Sequence, residues 1–156
     1  MNCSLYIRLR FVKSDEVFKF KMRVSDTVMQ TRAFDIQITT SDAPDFIDIT
    51  EDIINCVKTA KILNGIIVVF SKHTTAAITI QENEPLLLKD FKRLLEKFAS
   101  QHDDYKHNDF DVRTVHMHED ECPNGHSHCQ HLLLGSSESI PLINGEMALG
   151  EWQRIF

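Results

Sequence analysis

Thr50–Phe70, T-E-D-I-I-N-C-V-K-T-A-K-I-L-N-G-I-I-V-V-F, decides the fold. The Thr50 hydroxyl stands before Glu51 and Asp52, and a capping oxygen followed by two carboxylates suits a helix start, where the dipole favours negative charge. Ile53, Ile54, Val57 and Ala60 then recur at helical spacing, and Asn64-Gly65 is the stop signal. Ile66-Ile67-Val68-Val69-Phe70 follows, a β-branched run with no polar face. Such a run predicts a central strand covered on both sides. A helix leading straight into a buried strand sets the plan, with helices packed on a sheet.

Toward the N-terminus the period changes to two. Leu5, Ile7, Leu9 and Phe11 alternate with Tyr6, Arg8 and Arg10. Phe18, Phe20, Met22 and Val24 alternate with Lys19, Lys21 and Arg23. Two half-wet strands joined at Lys13–Glu16 predict a β-hairpin extension over residues 1–33. Phe34, Ile36 and Ile38 alternate in the same way and predict a further strand, before Ala43-Pro44-Asp45 breaks the chain.

Beyond Phe70, Ser71–Thr75 interrupts the apolar run and Ala76–Ile80 resumes extended structure. Pro85 stands near the first helical position of a second helix, in which Leu87, Leu88, Phe91, Leu94, Leu95 and Phe98 recur at three and four. Residues 101–121 are polar and acidic. A stretch of that kind is either functional or poorly ordered. Ile140–Leu149 around Asn144-Gly145 predicts a type I′ hairpin, and Trp152, Arg154 and Phe156 a last strand after Gly150. The expectation is therefore an α+β fold, with two main helices covering one face of a mixed sheet.

The chain has 156 residues, 42% apolar, with a net charge of −6. That suits one domain with a real core. The acidic balance argues against a nucleic-acid or anionic-membrane binder, which needs clustered Lys and Arg. No apolar run reaches the ~20 residues of a bilayer span, and the start lacks a secretory pattern, so a cytoplasmic location is expected. Cys3, Cys56, Cys122 and Cys129 form no CxxC pair. Cys56 reads as core, whereas Cys122 and Cys129 flank histidines and are available as soft ligands.

The chemistry concentrates in Cys122–Ser137, C-P-N-G-H-S-H-C-Q-H-L-L-L-G-S-S. Six of the eight histidines lie between His107 and His131. On an extended segment His126 and His128 share a side. Imidazole is the commonest side-chain ligand for transition metals. The stretch reads as part of a metal site or as an exposed histidine-rich loop. His73 is a further candidate donor where the buried strand breaks, or a satisfied core histidine. Glu82 reads as a helix-capping group or as a general base. Asp103, Asp104, Asp109 and Asp111 suit Mg²⁺ with a phosphorylated substrate, or a solvated loop. Phosphate-loop, dinucleotide, nucleophile-elbow, HExxH and zinc-deaminase signatures are absent.

Taken in order, His73-Thr74-Thr75-Ala76-Ala77, Glu82-Asn83, Tyr105-Lys106-His107, Pro123–His128, Leu134–Ser137 and Gly150-Glu151-Trp152-Gln153 resemble the YjbQ-like family over residues 34–156. The resemblance implies an α+β fold, a mixed or antiparallel β-sheet sandwich with two main helices, assembling as a homotrimer with a histidine-built metal site, zinc first, near a subunit boundary. It places the donors at His73, His107 and His128, with His126 second in choice because its position is less uniform in the family. It demotes His131. It also implies a secondary thiamine-phosphate synthase activity, a transferase reaction on small phosphorylated molecules, with Glu82 as the catalytic candidate. The alternative is a metal-binding trimer without turnover. Family members continue past W-Q-x-I-F into a further strand or two, so strands beyond Phe156 are expected to be missing here.

Overall fold

The structure, a computed structural model, describes residues 30–156. The hairpin expected within residues 1–33 therefore falls outside the described residues except for 30–33, which are exposed and carry no regular structure. The unit Phe34–Phe156 is described by itself.

It contains α1 (Thr50–Ala60), β1 (Gly65–Phe70), β2 (Ile80–Glu82), α2 (Pro85–Phe98), a 3₁₀ turn (Lys106–Asn108), α3 (Gly125–Leu134), β3 (Ser137–Ile143), β4 (Glu146–Met147) and β5 (Gln153–Ile155). The strands form two small sheets, β1-β3-β4 and β2-β5, and every pairing is antiparallel. Ile49, Ile53, Val69, Ile78, Ile140 and Ile155 meet in one core between α1 and the strands. The α+β expectation holds, with a third helix added to the two foreseen.

The third helix hides in G-H-S-H-C-Q-H-L-L-L because its apolar residues are massed at one end and make no stripe. α2 is the opposite case. Its stripe is clear, and the Glu84 carboxylate caps it by accepting from the Leu86 and Leu87 amides at 2.9 and 2.7 Å, with Pro85 following. The predicted Asn144-Gly145 turn joins β3 to β4 with φ of 53° and 85°, the two positive values a type I′ turn requires.

Two strand expectations need correcting. Among the described residues β1 is an edge strand and not a central one, since it pairs only with β3. Val69 points into the core, whereas Ile66, Val68 and Phe70 are 74%, 63% and 61% exposed. An apolar sequence on both faces does not by itself supply a second cover. Phe34, Ile36 and Ile38 alternate correctly but enter no sheet, and all three are exposed.

Thr50 does not cap α1 by its position; it is the first helical residue, 2% exposed. Its hydroxyl donates to Asp48 Oδ1 at 2.6 Å and accepts the Ile155 amide at 2.8 Å, tying α1 to β5. Asp48 Oδ1 also accepts the Thr50 amide, while Oδ2 accepts Arg154 Nε at 2.8 Å and Asn83 Nδ2 at 2.9 Å. Phe156 then pairs through its backbone with Thr79 in both directions. No helix among the described residues is long and apolar enough to cross a membrane.

Burial pushes the Asp48 carboxyl up, but the bonds from Arg154, Thr50 and Asn83 outweigh it and hold the pKa at about 2, against an ordinary 3.8. A carboxyl held lower in the folded chain stabilises the fold above its unfolded value and loses that contribution as pH falls toward 2. Asp48→Asn should therefore cost about 2 kcal/mol at pH 7. In denaturant titrations at both pH values, the gap from the parent should narrow at pH 3.

Candidate metal centre

The centre is built where the end of α2 meets the start of α3. Ala99 is buried behind α2, and its carbonyl accepts Gln130 Nε2 of α3 at 2.9 Å. The Tyr105 hydroxyl donates to the Ser100 carbonyl at 2.7 Å. The 3₁₀ turn then presents His107 and Asn108. Asn108 Oδ1 accepts the amides of Asn124 and Gly125 at 3.1 and 2.9 Å, so one carboxamide occupies two of the free N–H groups that begin α3. Position 125 admits only hydrogen as side chain: a Cβ there would lie 2.5 Å from Tyr105 Cβ. The P-N-G sequence thus lets the turn sit directly on the helix start.

The result brings His107 to His128. Their rings stand 4.6 Å apart, edge to face at 69°. His107 Nε2 is buried without a hydrogen-bond partner and lies 3.7 Å from Glu121 Oε1. Arg113 holds that carboxylate at 2.6 Å, and its other donors reach the carbonyls of His116 at 2.6 Å and His107 at 3.4 Å. The Arg113 hydrogen bond holds the Glu121 carboxyl below its ordinary range, against the pull of burial. Burial, then the neighbouring His107 and Arg113, lower the pKa of His128, while Glu121 and the Thr74 backbone act in the other direction. His128 thus keeps a lone pair to lower pH than a free imidazole, which a metal donor requires.

His73 is exposed on the loop after β1. Its Nδ1 is engaged by the Thr75 hydroxyl at 2.9 Å, which leaves Nε2 as its ligating atom. The backbone of Thr74, the next residue, is hydrogen-bonded to His128, so the H-T-T segment borders α3. His126 points elsewhere. Two residues along a helix turn a side chain by roughly 200°, so the shared side expected of an extended segment is lost. His126 is buried against Tyr105, with ring centroids 6.5 Å apart and Ser127 Oγ at 3.1 Å from Nε2. His131 pairs with Ser136 Oγ at 3.2 Å. Glu82 is exposed on β2, opposite Gln153. Asp103, Asp104, Asp109 and Asp111 are exposed. Among the described residues no three His, Cys, Asp or Glu side chains close on one point; the structure brings together two imidazoles with a carboxylate beside them. Sequence reading missed Asn108, Arg113 and Glu121. Asn108 acts across sixteen positions, and no local spacing marks such a cap.

A small α+β protein in which a Tyr-x-His turn docks on a Gly-His-x-His helix is the class that this fold and site define. The family model described as UPF0047 protein YjbQ-like matches residues 34–156, and the chain belongs to that family. A UPF0047 protein of Methanothermobacter thermautotrophicus is 38% identical over 128 residues, covering 82% of each chain. The crystal structure of an uncharacterized YjbQ/UPF0047 protein from Clostridium acetobutylicum is 36% identical with a TM-score of 0.64, over 76% of this chain and 82% of that one. A YbjQ-like protein of unknown function from Sulfolobus solfataricus gives 32% and 0.61, over 70% and 72%.

Asn108→Ala removes the cap on α3 and should cost about 1 kcal/mol. It should also separate the two imidazoles, read as a rise of the His128 pKa toward its ordinary value in an NMR titration. An unchanged His128 titration would show that the turn is held by something other than Asn108.

Proposed function

We propose that the protein is a metal-binding member of its family, with His107 and His128 as donors to a divalent cation, zinc first. The observation supporting this is His107 Nε2, buried between an imidazole and a carboxylate with no protein partner. Leaving such an atom unpaired costs ~1–3 kcal/mol, which a bound cation removes. Asn124 Oδ1, one residue before α3, is the other buried side-chain atom without a partner among the described residues. Both atoms belong to this junction. His73 is the third donor of the proposal, its free Nε2 on the segment that borders His128. A zinc ion held here would polarise a ligand oxygen or acidify a bound water.

We place this site in a homotrimer. The outward face of β1, with Ile66, Val68 and Phe70 exposed, supports assembly, since a row of large apolar side chains favours cover by a second surface. The enzymatic extension is transfer of the thiamine-phosphate synthase type, joining a pyrimidine methyl pyrophosphate to a thiazole phosphate with loss of pyrophosphate. Glu82 is its candidate base, and Mg²⁺ enters with the phosphorylated substrate. Support for metal holding is stronger than for turnover, because the orphaned nitrogen bears on the first alone.

Elemental analysis of the purified protein should find about one transition-metal ion per chain, and His128→Ala should lose it. Full occupancy in that variant contradicts the assignment. For turnover, the gene should rescue a strain lacking its own thiamine-phosphate synthase, and Glu82→Ala should abolish the rescue. Undiminished rescue removes Glu82 from the mechanism.

A further inference from the structure

The loop between His107 and α3 is held by one guanidinium. Arg113 ties the His107 carbonyl, the His116 carbonyl and the Glu121 carboxylate together. Arg113 and Glu121 are 14% and 13% exposed. A pair so far out of water is a poor source of stability, because desolvation offsets most of the attraction. What the pair does achieve is position. It sets a carboxylate beside the orphaned nitrogen of His107 and leaves that carboxylate little freedom to turn away.

The separation is informative. His107 Nε2 and Glu121 Oε1 are 3.7 Å apart, too far for a hydrogen bond. Two donors bound to one tetrahedral zinc at ~2.1 Å each lie about 3.4 Å from one another. A few tenths of an ångström of closure therefore bring these two atoms to the spacing of two donors on one ion. Oε1 carries a second lone pair beyond the one used by Arg113, so accepting the guanidinium does not exclude a metal.

We propose that Glu121 is an oxygen ligand of the His107–His128 site and that Arg113 is its positioning residue. Two imidazoles and one carboxylate suit zinc, iron(II), cobalt(II) or manganese(II), and disfavour the copper(I) that a thiolate or thioether set would select. Arg113 balances the charge of Glu121, so the cation keeps its own charge for an anionic ligand. This rests on the imidazole reading above and adds to it a residue that neither the spacing of the histidines nor the family motifs single out.

Cobalt(II) alone is the probe, because its visible d–d bands report the number and kind of ligands. Affinity is read by competition with a chelator on the full chain, with thermal melts run in parallel. The parent protein should bind cobalt, and His128→Ala should not. Glu121→Gln should lower the affinity on the order of 100-fold and shift the bands. Arg113→Lys should lower it by about tenfold while leaving the bands at saturation in place, since the ligand is unchanged and only its presentation is loosened. Glu121→Asp keeps the charge that Arg113 needs, so weakened cobalt binding by a folded Asp variant supports the proposal even where Gln fails to fold. Parent-like affinity and bands in Glu121→Gln or Glu121→Asp, with binding lost in His128→Ala, overturn the role of Glu121 and leave the imidazole reading standing. No cobalt binding by the parent protein overturns both.

Discussion

One carboxamide controls the site. Asn108 Oδ1 takes the first amides of α3, and this fixes His107, its neighbour in sequence, against His128, one turn into the helix. The bond does two things at once. It satisfies N–H groups that every helix start leaves open, and it spends that satisfaction on joining two segments that a polar loop would otherwise let drift. Gly125 makes the approach possible, because Tyr105 fills the space a side chain would need. Arg113 closes the loop from the other side through three acceptors. A histidine pair at the two ends of a long irregular segment is thus held by groups that carry no metal chemistry of their own.

A second junction does the same for the fold. The Asp48 carboxylate and the Thr50 hydroxyl connect the start of α1 to Arg154 and Ile155 of β5 and to Asn83 before α2. The core isoleucines of α1 and β5 are locked together where their backbones meet, so β2-β5 cannot slide over α1 without breaking a charged hydrogen bond. The two junctions are built alike: a short polar side chain accepts an amide at a helix start and ties that helix to a segment distant in sequence.

Much of this was legible in the sequence. Apolar spacing at three and four found α1 and α2, and Asn144-Gly145 found the last hairpin. The motifs placed residues 34–156 in their family. α3 was not legible, because a helix with histidines at its start and leucines at its end has no face to betray it. On an extended segment His126 and His128 would share a side, whereas the helix turns them apart. β1 reads as central from composition alone, which does not distinguish a strand paired on both sides from one that, among the described residues, pairs on one. Of the site, His107 and His128 were found by motif. Asn108, Arg113 and Glu121 were not, because their work is done across the loop, and distances of that kind follow from folding rather than from spacing.

The central claim is that His107 and His128 face a common cation. Anomalous diffraction from crystals of the purified protein, collected on both sides of the zinc absorption edge, tests it most directly. The account predicts a single strong peak per chain within bonding distance of both imidazoles. A peak on other residues, or a zinc-soaked crystal in which the two rings still touch with no peak between them, contradicts it.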